Sequence, residues 1–340
     1  MSDSLEEQQF KSWLRRPTLF IANAWYLMAA AGQTVVPYAL ILILQLIGMF
    51  FPVSLAESTL IYTASTLQQV LVLALPVIIY AARHDGVDQA MRLNPPRLDM
   101  MLYAVTAALF GVMLSNCVSM WWMLLVESLG GWLYAASIPV PTNPDELTAT
   151  ILLAGVIPGV CEELFFRGGL MGAWERRGTK KAVAITSVLF ALLHGSILGL
   201  PVQLMMGFAL GYMLVVSDSL YVSMTFHTVY NSLTILLSYL SMQMTGGSLP
   251  AESLTTAEYI MATGGYGSLI SQTLLMAAMF AGVLMMMYKA QMQRKVKIIK
   301  ITEGDRAKMG WQELLLLLCG LITMGIVYLE DLLWISGIIL

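Results

Sequence analysis

Apolar stretches recur along the whole 340-residue chain, at about 24–47, 59–82, 100–126, 148–170, 182–200, 201–217, 220–244, 266–288 and 312–334. Crossing about 30 Å of hydrocarbon takes roughly 20 apolar residues in a helix. Inside lipid each backbone amide must be satisfied within the protein, which restricts spanning segments to helices or closed barrels. Runs of this length select helices. A soluble domain of this size would carry roughly 25% charged residues, whereas this chain has 11%, against 58% hydrophobic. The predicted fold class is therefore all-α: a polytopic transmembrane bundle of about nine spans, eight or ten if the first run or 182–217 divides differently. The run from Leu19 to Phe51 exceeds one upright helix and predicts an interfacial turn or a bend near Pro37. The fifth and sixth spans are short and joined at HGSILGLP, which predicts a tilted, broken or re-entrant pair.

The basic residues orient this bundle. All 18 Lys and Arg fall on one side: before the first span, between the second and third, around the end of the fourth, and after the eighth. The opposite loops, 127–147 and 245–265, hold Glu127, Asp145, Glu146, Glu252 and Glu258 and no basic residue. The positive-inside rule then predicts a cytoplasmic N-terminus and, with nine spans, an external C-terminus. The opening MSDSLEEQQFKSWLRR lacks an apolar core followed by a cleavage site, so it is expected to be retained, with the first helix directing insertion. The linker DGVDQAMRLNPPRLD reads as a turn-rich loop. The stretch KAQMQRKVKIIKITEGDRAKMG reads as a basic juxtamembrane anchor, with an amphipathic or short β segment as the alternative. Cys117, Cys161 and Cys319 lie in apolar runs without CxxC spacing and read as buried free thiols. No phosphate-binding glycine loop follows a strand, so no nucleotide site is predicted. The expected partners are the lipid bilayer and a membrane-associated peptide or protein, with no nucleic acid; oligomeric state is not read from the sequence.

Polar residues at membrane depth are costly and mark function. They concentrate in 148–245, which divides the chain into N-terminal helices (1–147), a polar core (148–245) and C-terminal helices with a basic loop (246–340). GVIPGVCEELFFRGG carries Glu162, Glu163 and Arg167. Glu163 and Arg167 are four apart and share a helical face, so they are expected to pair, while Glu162 points elsewhere. Pro158 predicts a kink before Glu162 that opens a polar hollow. Phe190 and His194 in FALLH are four apart, as are His227 and Asn231 in HTVYN. Counted from the cytoplasmic ends of the predicted spans at 1.5 Å per residue, Glu162, His194 and His227 lie roughly 12–18 Å deep. That agreement permits one shared site. There Glu162 with His194 could take a proton from water, and His227 with Asn231 could donate to a developing oxyanion.

Three motifs carry a resemblance: EELFFR (Glu162–Arg167) to EExxxR, FALLH (Phe190–His194) to FxxxH, and HTVYN (His227–Asn231) to HxxxN, in that order. The chain resembles, over about 148–245, the CPBP family of intramembrane endopeptidases, the CAAX protease and bacteriocin-processing or Abi group. The resemblance implies a glutamate-type protease. Glu162, His194, His227 and Asn231 would be catalytic and Glu163, Arg167 and Phe190 supporting, with a membrane-associated substrate of prenylated CAAX or leader type. It also implies a multi-pass protein of a prokaryotic cell membrane. A metal-free site is favoured; zinc held by Glu162, His194 and His227 is the alternative cofactor reading. A transporter and a non-catalytic scaffold or immunity protein remain the other functional classes.

Overall fold

The computed structural model describes residues 16–49, 57–84, 91–131, 140–244, 254–293 and 308–337. The readings made for 1–15, for the DGVDQA part of the linker (85–90) and for 294–307 lie outside the described residues.

Among the described residues all regular structure is helical. Helix α1 spans Leu19–Gly48. Helix α2 covers 57–83 as Glu57–Leu67, a π-helical stretch Gln68–Ala74, and Leu75–Arg83. Helix α3 is Leu98–Ser128. Helix α4, Pro144–Arg177, contains two π-helical stretches, Ile151–Val156 and Leu164–Leu170. Then come α5 (Thr179–Leu193), α6 (Leu200–Ser217), α7 (Leu220–Met244), a short α8 (Thr256–Ala262), α9 (Gly265–Met292) and α10 (Trp311–Ile335).

Setting α8 aside, nine helices among the described residues follow the predicted order of spans. Seven are long and apolar enough to cross a bilayer. The other two are α5, which is 15 residues long, and α7, which bears Ser, Thr, His, Asn and Gln among its apolar residues. The fifth and sixth spans are separated by a break: α5 ends at Leu193, Gly195 turns the chain at φ 64°, and α6 opens with Pro201 in its first turn. Helix α1 runs through Pro37 without ending. Thr18 starts it, its hydroxyl accepting from the Ile21 amide and satisfying one of the open donors of the first turn.

Helices α1 and α10 pack together, as do α3 with α7 and α9, α5 with α6, and α4 with α7. The contact between α4 and α7 depends on missing side chains. A Cβ on Gly159 would stand 2.4 Å from Thr228 Oγ1 and 2.8 Å from its backbone nitrogen, and one on Gly155 would stand 2.8 Å from Ser232 Oγ. Small residues let backbones approach where lipid supplies no hydrophobic drive between helices. This approach brings α7, with His227, against the helix that carries Glu162.

Among the described residues, Arg16, Arg92 and Arg176 meet at one end of the bundle. Glu175 accepts from Arg16 and, at 3.0 Å, from Arg92, whose Nε lies 3.2 Å from Asp218. Arg176 donates to the Arg16 carbonyl and Asn94 to the Asp218 carbonyl. Four connections are thereby tied together: the start of α1, the loop before α3, the end of α4 and the turn between α6 and α7. At the opposite end Gln243 donates to the Thr142 carbonyl, and the Thr256 amide donates to Glu127. Cys117 and Cys161 are buried free thiols; Cys319 is also free and only half-buried.

Candidate active site

The site forms where α4 meets α2, α5 and α7. The two π-helical stretches of α4 flank Ile157–Glu163. Each widened turn shifts the angular position of the residues beyond it, a feature of helices at functional sites. Because α4 continues to Arg177, Glu162 lies deeper than a span ending near 170 implies.

The two adjacent glutamates have separate surroundings. Glu163 is fully buried, as is Arg167; Arg167 Nη1 donates to Glu163 Oε1 at 3.0 Å, and Nη2 donates to the Gly207 carbonyl at 3.0 Å. The guanidinium carbon also stands 4.6 Å from the centroid of Phe190 and 5.8 Å from that of Phe166. Aromatic faces attract a desolvated cation. A buried charge pair needs further polar partners; here the Gly207 carbonyl and the two rings add to it, while Glu163 Oε2 and Arg167 Nε are buried without a hydrogen-bond partner. Gly207 is held to glycine by α5, since a Cβ would meet Ser187 Cα and its carbonyl oxygen at 2.9 Å. Glu163 Oε1 reaches one group more, His227 Nδ1 at 3.1 Å.

Glu162 faces the other way. Its Oε1 accepts from Gln69 Nε2 at 2.7 Å. Its Oε2 is buried without a hydrogen-bond partner and stands 3.9 Å from both His194 Nε2 and His227 Nε2. The two imidazoles are oriented from behind. His194 Nδ1 lies 2.8 Å from the Phe190 carbonyl, so Nδ1 carries a proton and, in the neutral ring, Nε2 presents a lone pair. His227 Nδ1 faces the Glu163 carboxylate and carries a proton by the same logic. Phe190 packs against both rings, with centroid distances of 4.7 Å to His194 and 5.8 Å to His227. One phenyl side chain therefore touches Arg167 and both histidines.

A cavity of about 610 Å³ reaches Glu162, His194 and Asn231. The His194 side chain is 30% exposed, against 10% for Glu162 and 4% for His227, so protein covers the cluster least on the His194 side. From a floor that includes Phe166 and Leu73, the cavity wall continues through Pro37, Ile61, Thr234 and Ile235. These residues lie toward the end opposite the basic cluster.

Helices outside 148–245 hold the segment that bears His194. Gln33 of α1 donates to the Leu193 carbonyl, Trp122 of α3 to the Ile197 carbonyl, and Tyr328 of α10 to the Ala191 carbonyl. Asp331 of α10 accepts from the Ile197 amide at 2.6 Å. A broken helix leaves carbonyls and amides without intrahelical partners, and these side chains satisfy them. The sequence reading did not identify Gln69, Gln33, Trp122, Tyr328 or Asp331. The signal for Gln69 was present as a Gln68-Gln69 pair inside the apolar second span, and the rule applied to Glu162 covers it equally.

Carboxylate and imidazole suit zinc chemically, but the spacing does not. Tetrahedral ligands about 2.0–2.2 Å from zinc stand about 3.3–3.6 Å apart, whereas Glu162 Oε2 is 3.9 Å from each Nε2. No group of three or more His, Cys, Asp and Glu side chains among the described residues is arranged to hold a metal ion.

Fold and cluster together define an integral membrane protein with a carboxylate and two imidazoles beside a cavity. Residues 144–233 match the family model for type II CAAX prenyl endopeptidase Rce1-like proteins, of the CPBP family, and all three motifs fall inside that match. Comparison with curated proteins and with solved structures gives no match.

Proposed function

We propose that this protein is an intramembrane endopeptidase that hydrolyses a peptide bond in a membrane-associated peptide or protein through a water activated by Glu162 and His194. The observation that carries the reading is Glu162 Oε2, buried, unpartnered and 3.9 Å from two imidazole nitrogens at the cavity. A water about 2.8 Å from Oε2 and from His194 Nε2 fits between groups so spaced. It would donate one hydrogen to each, and both accept: the carboxylate by its charge, His194 by its Nε2 lone pair.

Attack on a carbonyl makes an oxyanion that needs donors already in place. His227 supplies one at Nε2 when both its nitrogens are protonated, and Glu163 balances that charge at Nδ1. Asn231, one turn further along α7 and on the cavity wall, supplies an amide. Glu162 then passes its proton to the leaving nitrogen. Arg167 and Phe190 hold Glu163 and the rings in register. The family match supports peptide hydrolysis; a prenylated CAAX-type or leader-type segment is the proposed substrate class.

The test compares native peptides in membranes containing wild-type protein, Glu162→Gln or His194→Ala. Removal of a general base costs about 10²–10⁴-fold in rate, so termini produced by the wild type disappear in both variants while the folded yield stays the same. Identical termini in all three membranes overturn the reading, and flux of a solute lost in Glu162→Gln without any change in termini favours a carrier. Stoichiometric zinc in purified protein, with activity lost on its removal, overturns the metal-free chemistry.

A further inference from the structure

Glu162 receives a hydrogen bond from outside the family-matched segment. Gln69 lies on α2, in the π-helical stretch Gln68–Ala74, and the match begins only at residue 144. Its Nε2 stands 2.7 Å from Glu162 Oε1, a short contact for an amide donor and typical of a bond to a charged acceptor. An amide has one donor end and one acceptor end; against a carboxylate only the nitrogen is attractive, which fixes which end faces Glu162.

The consequence concerns the shape of the carboxylate. A carboxylate on a glutamate side chain has a soft terminal torsion, and its two oxygens are otherwise equivalent. Here one is held by Gln69 while the other is buried with no partner, facing both imidazoles. We infer that Gln69 is a positioning residue for the proposed hydrolysis, holding the Glu162 carboxylate so that Oε2 alone meets the reacting water. The inference rests on the endopeptidase reading for its chemical purpose, and on the Gln69–Glu162 geometry for its substance.

The way Gln69 is delivered supports this role. Its neighbour Gln68 is buried and lines the same cavity. Consecutive residues on a regular helix point about 100° apart, and the π-helical turn that starts at Gln68 is the local departure that lets α2 offer both amides there. Such turns are costly in a membrane helix and recur at functional sites. The segment also packs directly on Ile157–Glu163 of α4, so the donor comes from a rigid helix contact, which suits a part whose task is orientation.

Two readouts on purified protein separate this inference from the reading beneath it. The first is isotope-edited infrared spectroscopy of protein carrying ¹³C-labelled glutamate. The antisymmetric carboxylate band of Glu162 is identified by its loss in Glu162→Gln. Gln69→Met retains volume and removes the donor; Gln69→Leu removes it with a different shape. Both are expected to move the Glu162 band in the same direction. The second is kinetics on an internally quenched, farnesylated CAAX peptide. Loss of a hydrogen bond to a charged group is worth about 10–100-fold, expected in kcat of Gln69→Met, with KM within about twofold of wild type.

A Glu162 band unmoved in whichever Gln69 variant folds overturns the role of Gln69, whatever the activity. A moved band with kcat unchanged shows contact without positioning and overturns it as well. Equal cleavage by wild type and Glu162→Gln overturns the endopeptidase reading instead, while the infrared band still decides whether Gln69 orients the carboxylate.

Discussion

Glu162 and Glu163 show how one turn of helix assigns two identical side chains to different tasks. Glu163 is held by Arg167 and His227 and has no exposure; Glu162 lines a cavity, with Oε2 3.9 Å from two imidazole nitrogens. Replacing Arg167 by Met leaves the Glu163 charge uncompensated, and breaking such a buried pair costs about 3–5 kcal/mol. Arg167→Met should therefore unfold at markedly lower denaturant in micelles, read by tryptophan fluorescence. Adding Glu163→Gln should restore part of that stability and none of the activity, because His227 Nδ1 then loses its carboxylate partner. At this scale much was legible. The i, i+4 spacing of Glu163 with Arg167 predicts their pairing, and the three motifs point to the side chains that meet. Gln69 was not read out, because a hydrogen bond between two helices far apart in sequence leaves no periodic trace in either.

Helix geometry sets the distances between those side chains. Spans and their order follow from apolar run length, but the π-helical turns in α2 and α4 do not, because they arise from packing between helices and no residue type encodes them. Run length also misjudged α4, which continues past its apolar part to Arg177 through the Glu175 ion pairs. Gly159 gives this scale a direct test. A methyl group there meets Thr228 backbone atoms at 2.8 and 2.9 Å, which neither helix can relieve without moving apart. Overpacking of this kind costs about 1–3 kcal/mol. Gly159→Ala should lower thermal stability and also cleavage, since His227 shifts with α7. Gly267→Ala, in α9 with nothing within 4 Å of the added carbon, should melt at or slightly above wild type, because alanine favours a helix by about 1 kcal/mol.

Across the molecule, charge and cavity point to opposite ends. The Arg16, Arg92, Glu175 and Asp218 cluster ties four connections at the basic end, while the cavity wall leads away from it through Pro37, Ile61 and Thr234. The positive-inside rule assigns the basic end to the cytoplasm. Cysteine labelling of intact cells checks it: Asp145→Cys, at the exposed start of α4, should react with a membrane-impermeant maleimide, and Lys180→Cys, at the other end, only after permeabilisation. The reverse pattern inverts the topology. The helices outside 148–245 also gain a purpose at this scale. Gln33, Trp122, Tyr328 and Asp331 hold the broken segment after α5, a role visible only once the chain is folded. The central claim remains chemical, and one rate tests it: release of a new C-terminus from a membrane peptide by purified protein in ¹⁸O-water. Wild type should incorporate ¹⁸O at the new carboxyl group, and Glu162→Gln should do so about 10²–10⁴-fold more slowly. Equal rates of labelled product from the two proteins would contradict the account.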